Sequence, residues 1–149
     1  MKTFTKTVVI LLTTITTMSV FAQNNNSDKN IFASFPGNLP ISKNLLVTTL
    51  EAKSGQIVAI PFNDKFIFSG KVMSNEFKYN NLQSMIVKSD AFPNTMFQLS
   101  KITENNNIKF VGRIISPDAV EAFVIKNDVA DNYSLNKIEF KSILQDCSY

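Results

Sequence analysis

Apolar and polar residues alternate with a period of two along most of the chain from Gln56 onward. In the segment 65–73, Phe66 and Phe68 fall on one side and Lys71 on the other, as in an antiparallel strand with one buried face. The connecting segments are short and rich in Asn, Asp and Pro, which favours hairpin turns. The pattern predicts seven strands, at 56–62, 65–73, 82–88, 96–103, 108–116, 122–126 and 133–140.

One helix is predicted ahead of these strands, at 43–53. Ser42 is a residue type that caps helix N-termini, and Gly55 stands where a C-terminal glycine is common. The side chains that recur at steps of three and four residues are Leu45, Leu46, Thr49, Leu50 and Lys53. The β-branched run 47–49 fits a strand equally well, so the pattern leaves both interpretations open. The preceding segment, 35–40, contains two Pro and one Gly and is expected to be extended or turning.

These elements indicate a mainly β (α+β) domain, a small antiparallel β-barrel or a coiled sandwich. Polar stretches at 74–81 and 104–107 are expected to be links, with turns at Asn80-Asn81 and at three consecutive Asn residues. A short helical turn is expected at 141–147. The inner face is expected to be aromatic, built from Phe66, Phe68, Phe97, Phe110 and Phe123.

Two strands carry a similar motif, F-x-G-[KR]-[VI], at Phe68 and again at Phe110. A glycine inside a strand often marks a bend or bulge, so the motif predicts a closed or strongly coiled sheet with two similar hairpins in a pseudo-twofold arrangement. Lys71 and Arg113 are then expected on the side away from the phenylalanines. We expect them either to form one cationic binding spot or, for Arg113, to pair with a carboxylate on a neighbouring strand.

The first 22 residues have the layout of a secretory signal peptide. Lys2 and Lys6 precede an apolar run, and Val20-Phe21-Ala22 is a small-x-small cleavage site. Cleavage after Ala22 removes 22 of the 149 residues and lowers the formal net charge from +3 to +1. The chain is therefore divided into a signal peptide at 1–22, a flexible polar lead-in at 23–30 and one β-rich domain at 31–149. We expect a secreted or periplasmic protein, with a bacterial source favoured.

Composition excludes several function classes. The chain has no His, which removes His-based acid–base catalysis and the commonest zinc ligand, and its single Cys forms neither a zinc cluster nor an internal disulfide. No metal site, cofactor or catalytic residue is therefore predicted. A net charge near +1 and a single Arg do not predict the basic surface patch that is typical of nucleic-acid-binding proteins. Beyond the leader no apolar run approaches the roughly 18–20 residues of a membrane span.

Four features are candidates for binding. Phe77 and Tyr79 stand in a polar segment, where exposed aromatic side chains favour a contact surface. The loop 127–132 holds two Asp and two Asn, which hard cations prefer, although ordinary turn chemistry explains the same composition. Cys147 is expected to be buried, free or part of an intermolecular disulfide. The fourth candidate binding feature is the pair Lys71 and Arg113.

The leading hypothesis is an exported, non-catalytic domain, a monomer or weak dimer, that binds an unidentified macromolecule, either protein or glycan. One alternative is a small secreted enzyme that uses carboxylates and Lys, which requires a concave pocket with displaced pKa values. Another is a peptidase inhibitor, which requires a protruding loop such as 89–94 or 74–81. A binding domain is instead expected to show an aromatic patch around Phe77 and Tyr79.

Overall fold

The computed structural model describes residues 30–105 and 107–139. All eight strands of this part form one antiparallel sheet that curls into a half-barrel, in the order β1-β8-β7-β6-β5-β4-β3-β2. Apart from the pair β1–β8, every pair joins strands that are consecutive in sequence. The elements are β1 (Asn38–Ile41), α1 (Lys43–Thr49), β2 (Ile57–Asn63), β3 (Phe66–Tyr79), β4 (Leu82–Ser89), β5 (Met96–Glu104), β6 (Asn107–Ile115), β7 (Glu121–Asn127) and β8 (Tyr133–Glu139).

The expected mainly β fold with one early helix is confirmed, but the expected number of seven strands is wrong. The additional strand, β1, lies in the segment expected to be only extended or turning. Leu39 and Ile41 are buried, while Asn38 and Pro40 are exposed. The Lys137 N–H donates to the Gly37 carbonyl at 2.8 Å, so Pro40, three residues on, has its nitrogen turned away from β8. The proline therefore removes no hydrogen bond from the ladder.

Strand β3 is longer than expected because it includes most of the segment interpreted as a polar link. It pairs with β4 from Gly70 to Tyr79, and only Asn80 and Asn81 form the turn. The ladder shifts register twice, between Val72 and Ser74 and again before Tyr79. The end of β3 is largely exposed, which explains its polar sequence.

Helix α1 begins where expected but ends four residues earlier. The Ser42 hydroxyl oxygen accepts a hydrogen bond from the Leu45 N–H at 3.1 Å, which caps the N-terminus. The hydroxyls of Thr48 and Thr49 donate to the Leu45 carbonyl one turn earlier, which accommodates the β-branched run in a helix. After the helix, Gly55 adopts φ +86° and the chain enters β2.

The expected aromatic inner face is confirmed, since all five predicted phenylalanines are buried. Leu46 of α1 is fully buried against this face, and the Asn75 side-chain amide donates to the carbonyl of Leu50 at 2.8 Å. At the start of β3, the Phe66 ring stacks on Phe35 of the N-terminal turn, with ring centroids 4.2 Å apart. The helix and the N-terminal turn therefore cover opposite ends of the half-barrel.

The two glycines of the repeated motif both lie where a neighbouring strand is close. A Cβ on Gly70 would stand 2.1 Å from the Lys88 carbonyl oxygen, and one on Gly112 would stand 2.7 Å from that of Gln98. A register shift follows Gly70 by two residues, but the nine pairs of β5 with β6 run without a shift. The expected bulge is thus found near one glycine only, and close strand approach is the property that both share.

Some expectations fall outside the described residues. These are the signal peptide, the lead-in up to residue 29, the helical turn at 141–147 and the position of Cys147. Within residues 30–105 and 107–139, no helix has the length and apolar character needed to cross a membrane. In the β5–β6 turn, Asn105 adopts φ +49°, in agreement with the expected use of Asn there.

Candidate functional site

The structure does not bring Lys71 and Arg113 together. Both are exposed on the outer face of the sheet, as the motif predicted, but β4 and β5 lie between their strands. Neighbouring strands are about 4.8 Å apart, so three steps separate the two side chains by about 14 Å across the sheet. The direct cross-strand neighbour of Lys71 on β4 is Lys88. A single cationic spot made by Lys71 and Arg113 is therefore not formed.

No ion pair between described residues joins Arg113 to a carboxylate either. Its Nε–H donates to the Gln98 side-chain carbonyl at 2.7 Å, and the two residues are direct partners across β5 and β6. The expected cross-strand partner exists, but it is a neutral amide. The contact of Arg113 on the outer face is therefore a hydrogen bond to an amide and not an ion pair.

Phe77 and Tyr79 are both exposed, at 70% and 72%, but they point to opposite faces of the sheet. Phe77 pairs with Gln83 and Tyr79 with Leu82, and neighbouring residues of β4 face opposite ways. The register shift between the two aromatic residues causes this, because it adds one unpaired residue to β3. They therefore do not form one aromatic patch.

Tyr79 instead belongs to a row of side chains on the outer face. Its partner Leu82 pairs with Ile102, which in turn pairs with Lys109, so the row crosses β3, β4, β5 and β6. Leu82 and Ile102 are half-buried, whereas Tyr79 and Lys109 are exposed. We refer to Tyr79, Leu82, Ile102 and Lys109 as the outer row. Three of its four members are aromatic or aliphatic, although they stand on the solvent side of the sheet.

Phe77 lies on the inner side of β3, beyond the end of α1. On the same side, the Gln83 amide donates to the Leu50 carbonyl at 3.1 Å and to the Asn75 side-chain oxygen at 3.0 Å. These amides satisfy the carbonyls at the helix end and hold α1 against the sheet. The cross-strand partner of the exposed Phe77 is therefore hydrogen-bonded to the end of the helix.

A polar cleft that sequence reasoning missed lies at the junction of α1 with the β7–β8 turn. It has a volume of about 430 Å³ and is lined by Lys43, Asn107, Ile108, Lys109, Asn127 and Asp131. Lys43 and Asp131 form an ion pair, and the Phe110 N–H donates to the nearby Tyr133 hydroxyl at 3.2 Å. The sequence offered two signals, the Asp- and Asn-rich loop 127–132 and a tyrosine in the alternating pattern, since a buried hydroxyl needs a partner.

The hydrogen bonds in this cleft keep the side chains of Lys43 and Asp131 ionised at neutral pH. The hydrogen bond with Asp131 raises the pKa of Lys43, and the same bond lowers the pKa of Asp131, with a further contribution from the Tyr133 hydroxyl. Burial raises the pKa of Tyr133. Each displacement stabilises the form that already dominates at neutral pH. A general acid or base needs the opposite arrangement.

The loop 127–132 adopts the expected turn chemistry. One carboxylate oxygen of Asp128 accepts from the N–H groups of Ala130 and Asn132, both at 2.9 Å, and the other accepts from the Asn132 amide. The hydrogen bond from the Asn132 side chain is the main reason why the pKa of Asp128 is lowered. Within the described part of the chain, no three Asp, Glu, His or Cys side chains group as metal ligands.

The two segments considered for a protruding inhibitory loop are a strand end with its turn and a short turn between strands. Most of 74–81 is strand, as described above. In 89–94 the Ser89 hydroxyl oxygen accepts from the N–H of Phe92 at 3.0 Å, and the Phe92 ring packs against Phe32 and Phe35. This turn is therefore tied to the core.

Comparisons with protein-family models, with curated proteins and with solved structures found no match to this chain.

Proposed function

We propose that this protein is an exported, non-catalytic domain that binds another macromolecule through the outer face around Tyr79. The observation that carries the proposal is the outer row, in which an exposed aromatic residue is continued by Leu82 and Ile102. Aromatic and aliphatic side chains that are contiguous on a rigid sheet are typical of contact surfaces. Lys109 adds one cation at the end of the row, which favours a partner with an acidic group nearby.

The charge states in the polar cleft also support a binding function. Lys43 and Asp131 neutralise each other and remain ionised at neutral pH, as their pKa displacements require. An enzyme built on carboxylates and Lys would need at least one such group poised to exchange a proton. The signal-like leader at residues 1–22 supports export.

The proposal is tested by photo-crosslinking in the cells that express the whole chain. A photoreactive phenylalanine analogue replaces Tyr79, and the control carries it at Val129, a still more exposed position on the β7–β8 turn. We expect crosslinked adducts from position 79 that are absent from position 129. The adducts are expected in the exported cell fraction, and the N-terminal residue of the crosslinked chain is expected to be Gln23. Equal or absent crosslinking at the two positions contradicts the binding surface. An adduct that retains Met1 contradicts export.

A further inference from the structure

Among residues 30–105 and 107–139, strand β2 is an edge of the sheet and pairs only with β3. The Val72 N–H donates to the Gln56 carbonyl at 2.8 Å, and the Val72 carbonyl accepts from the Gly55 N–H at 2.8 Å, so the main-chain groups of Val72 point toward β2. Because main-chain groups point the same way at every second residue of a strand, Gly70 and Phe68 also face β2, and their partners Val58 and Ile60 point their main-chain groups toward β3. The main-chain groups of Ile57, Ala59 and Pro61 therefore point away from the sheet, and Pro61 has no N–H to leave unpaired.

This free edge faces a cleft whose opposite wall is α1. The cleft has a volume of about 560 Å³ and is lined by residues 56–61 of the edge and by Leu45, Thr48, Thr49, Glu51 and Ala52. The hydroxyls of Thr48 and Thr49 are turned back onto helix carbonyls, which leaves their methyl groups for the cleft. The cleft therefore combines these methyl groups with polar surface, which includes Glu51 and Gln56.

The shape and charge of the cleft limit what can occupy it. A second copy of β2 would bring its own β3, about 4.8 Å farther on, into the space that α1 fills. A single extended segment has no such neighbour. Glu51 is the one ionisable residue that lines the cleft, and no ion pair between described residues includes it.

We propose that the cleft between β2 and α1 binds an extended peptide segment of a partner protein, which adds to β2 as a further strand and places a Lys or Arg near Glu51. Strand addition of this kind uses main-chain hydrogen bonds for affinity and alternate side chains for specificity. The inference rests on the proposed binding function, but it uses a surface separate from the outer row. Failure here leaves the crosslinking at Tyr79 unaffected, so the two proposals are tested separately.

The test begins with a phage-displayed library of random twelve-residue peptides, selected on the full chain as purified from expressing cells. Synthetic peptides from the selection are then titrated against variants by fluorescence anisotropy. We expect at least tenfold weaker binding to Ala59→Pro, which removes an edge donor, and to Glu51→Lys, which reverses the charge. Pro61→Ala restores a third edge donor and is expected to bind several-fold more tightly. The matched control Glu104→Lys, at the β5–β6 turn, is expected to bind like the unmodified chain.

Amide hydrogen exchange provides a readout that needs no variant. In the unmodified chain the amides of Ile57 and Ala59 are expected to exchange fast when free and to become protected with peptide bound, whereas Val58 and Ile60 are protected in both states. The proposal is overturned by a selection that yields no peptide, or by peptides that bind all variants equally. It is also overturned if Ile57 and Ala59 are already protected in the free chain, because the edge is then occupied by another part of the chain or by a second copy.

Discussion

At the scale of single residues, Gly70 shows how closely two strands of the sheet approach. An alanine Cβ at this position would stand 2.1 Å from the Lys88 carbonyl oxygen and 3.0 Å from the Cα of Ser89, which are main-chain atoms that cannot rotate away. Gly37 offers a contrast, since a Cβ there would meet nothing within 4 Å. The first glycine is required by its surroundings, and the second is not.

We therefore expect Gly70→Ala to lower the free energy of unfolding by about 2–3 kcal/mol, because β3 and β4 must separate to admit the methyl group. Gly37→Ala is the matched control and is expected to change the unfolding free energy by less than about 0.5 kcal/mol. Urea denaturation followed by circular dichroism measures both. Equal urea midpoints for the two variants would show that β3 and β4 separate without a loss of stability.

At the scale of elements, the ion pair between Lys43 and Asp131 joins the first turn of α1 to the β7–β8 turn. The pKa of Asp131 is lowered, so its contribution to stability is present above the unfolded value near 3.9 and is lost as pH falls through the folded value. The pKa of Lys43 is raised, so its contribution is present below about 10.4 and is lost as pH rises through the folded value. The contribution of the ion pair to stability is thus fully present between about pH 4 and pH 10.4.

Lys43→Gln is expected to return the pKa of Asp131 toward about 3.9, because the main cause of its displacement is removed. The measurement is the carboxyl ¹³C chemical shift of Asp131 as a function of pH. Lys78→Gln is the matched control, since Lys78 pairs with Glu76 on β3 instead. If the Asp131 titration in Lys43→Gln is the same as in the unmodified chain, the contact does not persist in solution.

At the scale of the whole molecule, the helix and the curled sheet share one core. Leu46 is fully buried, whereas its neighbour Val47 is 39% exposed. Among the strands that the structure describes, β1 and β2 are the edges of the sheet, and each hydrogen-bonds to one neighbour only. The buried face of α1 therefore supplies apolar cover that the sheet does not provide for itself.

Leu46→Ala is expected to lower the free energy of unfolding by about 2–5 kcal/mol, as for other fully buried leucines. Val47→Ala, one residue along the same helix, is expected to cost less than about 1 kcal/mol because much of its side chain already contacts water. Thermal and urea unfolding compare the two. A small effect of Leu46→Ala would mean that the sheet keeps its core without the helix.

The features of the fold that depend on neighbouring residues in the chain were predicted from local sequence patterns. The features that depend on contacts between distant parts of the chain were not. The strands and the aromatic inner face follow from alternation, because each strand must bury one face. β1 was missed because its partner residues lie about a hundred positions away and Pro40 argues against a strand unless the direction of its nitrogen is known. The separation of Lys71 from Arg113 depends on strand order, and the opposite facing of Phe77 and Tyr79 depends on a single-residue register shift. No alternation pattern encodes either feature.

The pairing of β1 with β8 has a consequence for the time at which the fold is completed. Asn38 and Asn136 hydrogen-bond across this pair but are 98 positions apart in the chain. A ribosome adding 5–20 residues per second makes the second of them roughly 5–20 s after the first. The other ladders, between successive strands, can form as the chain emerges. Completion of the sheet must wait for β8, so an interrupted synthesis would leave β1 without its ladder partner.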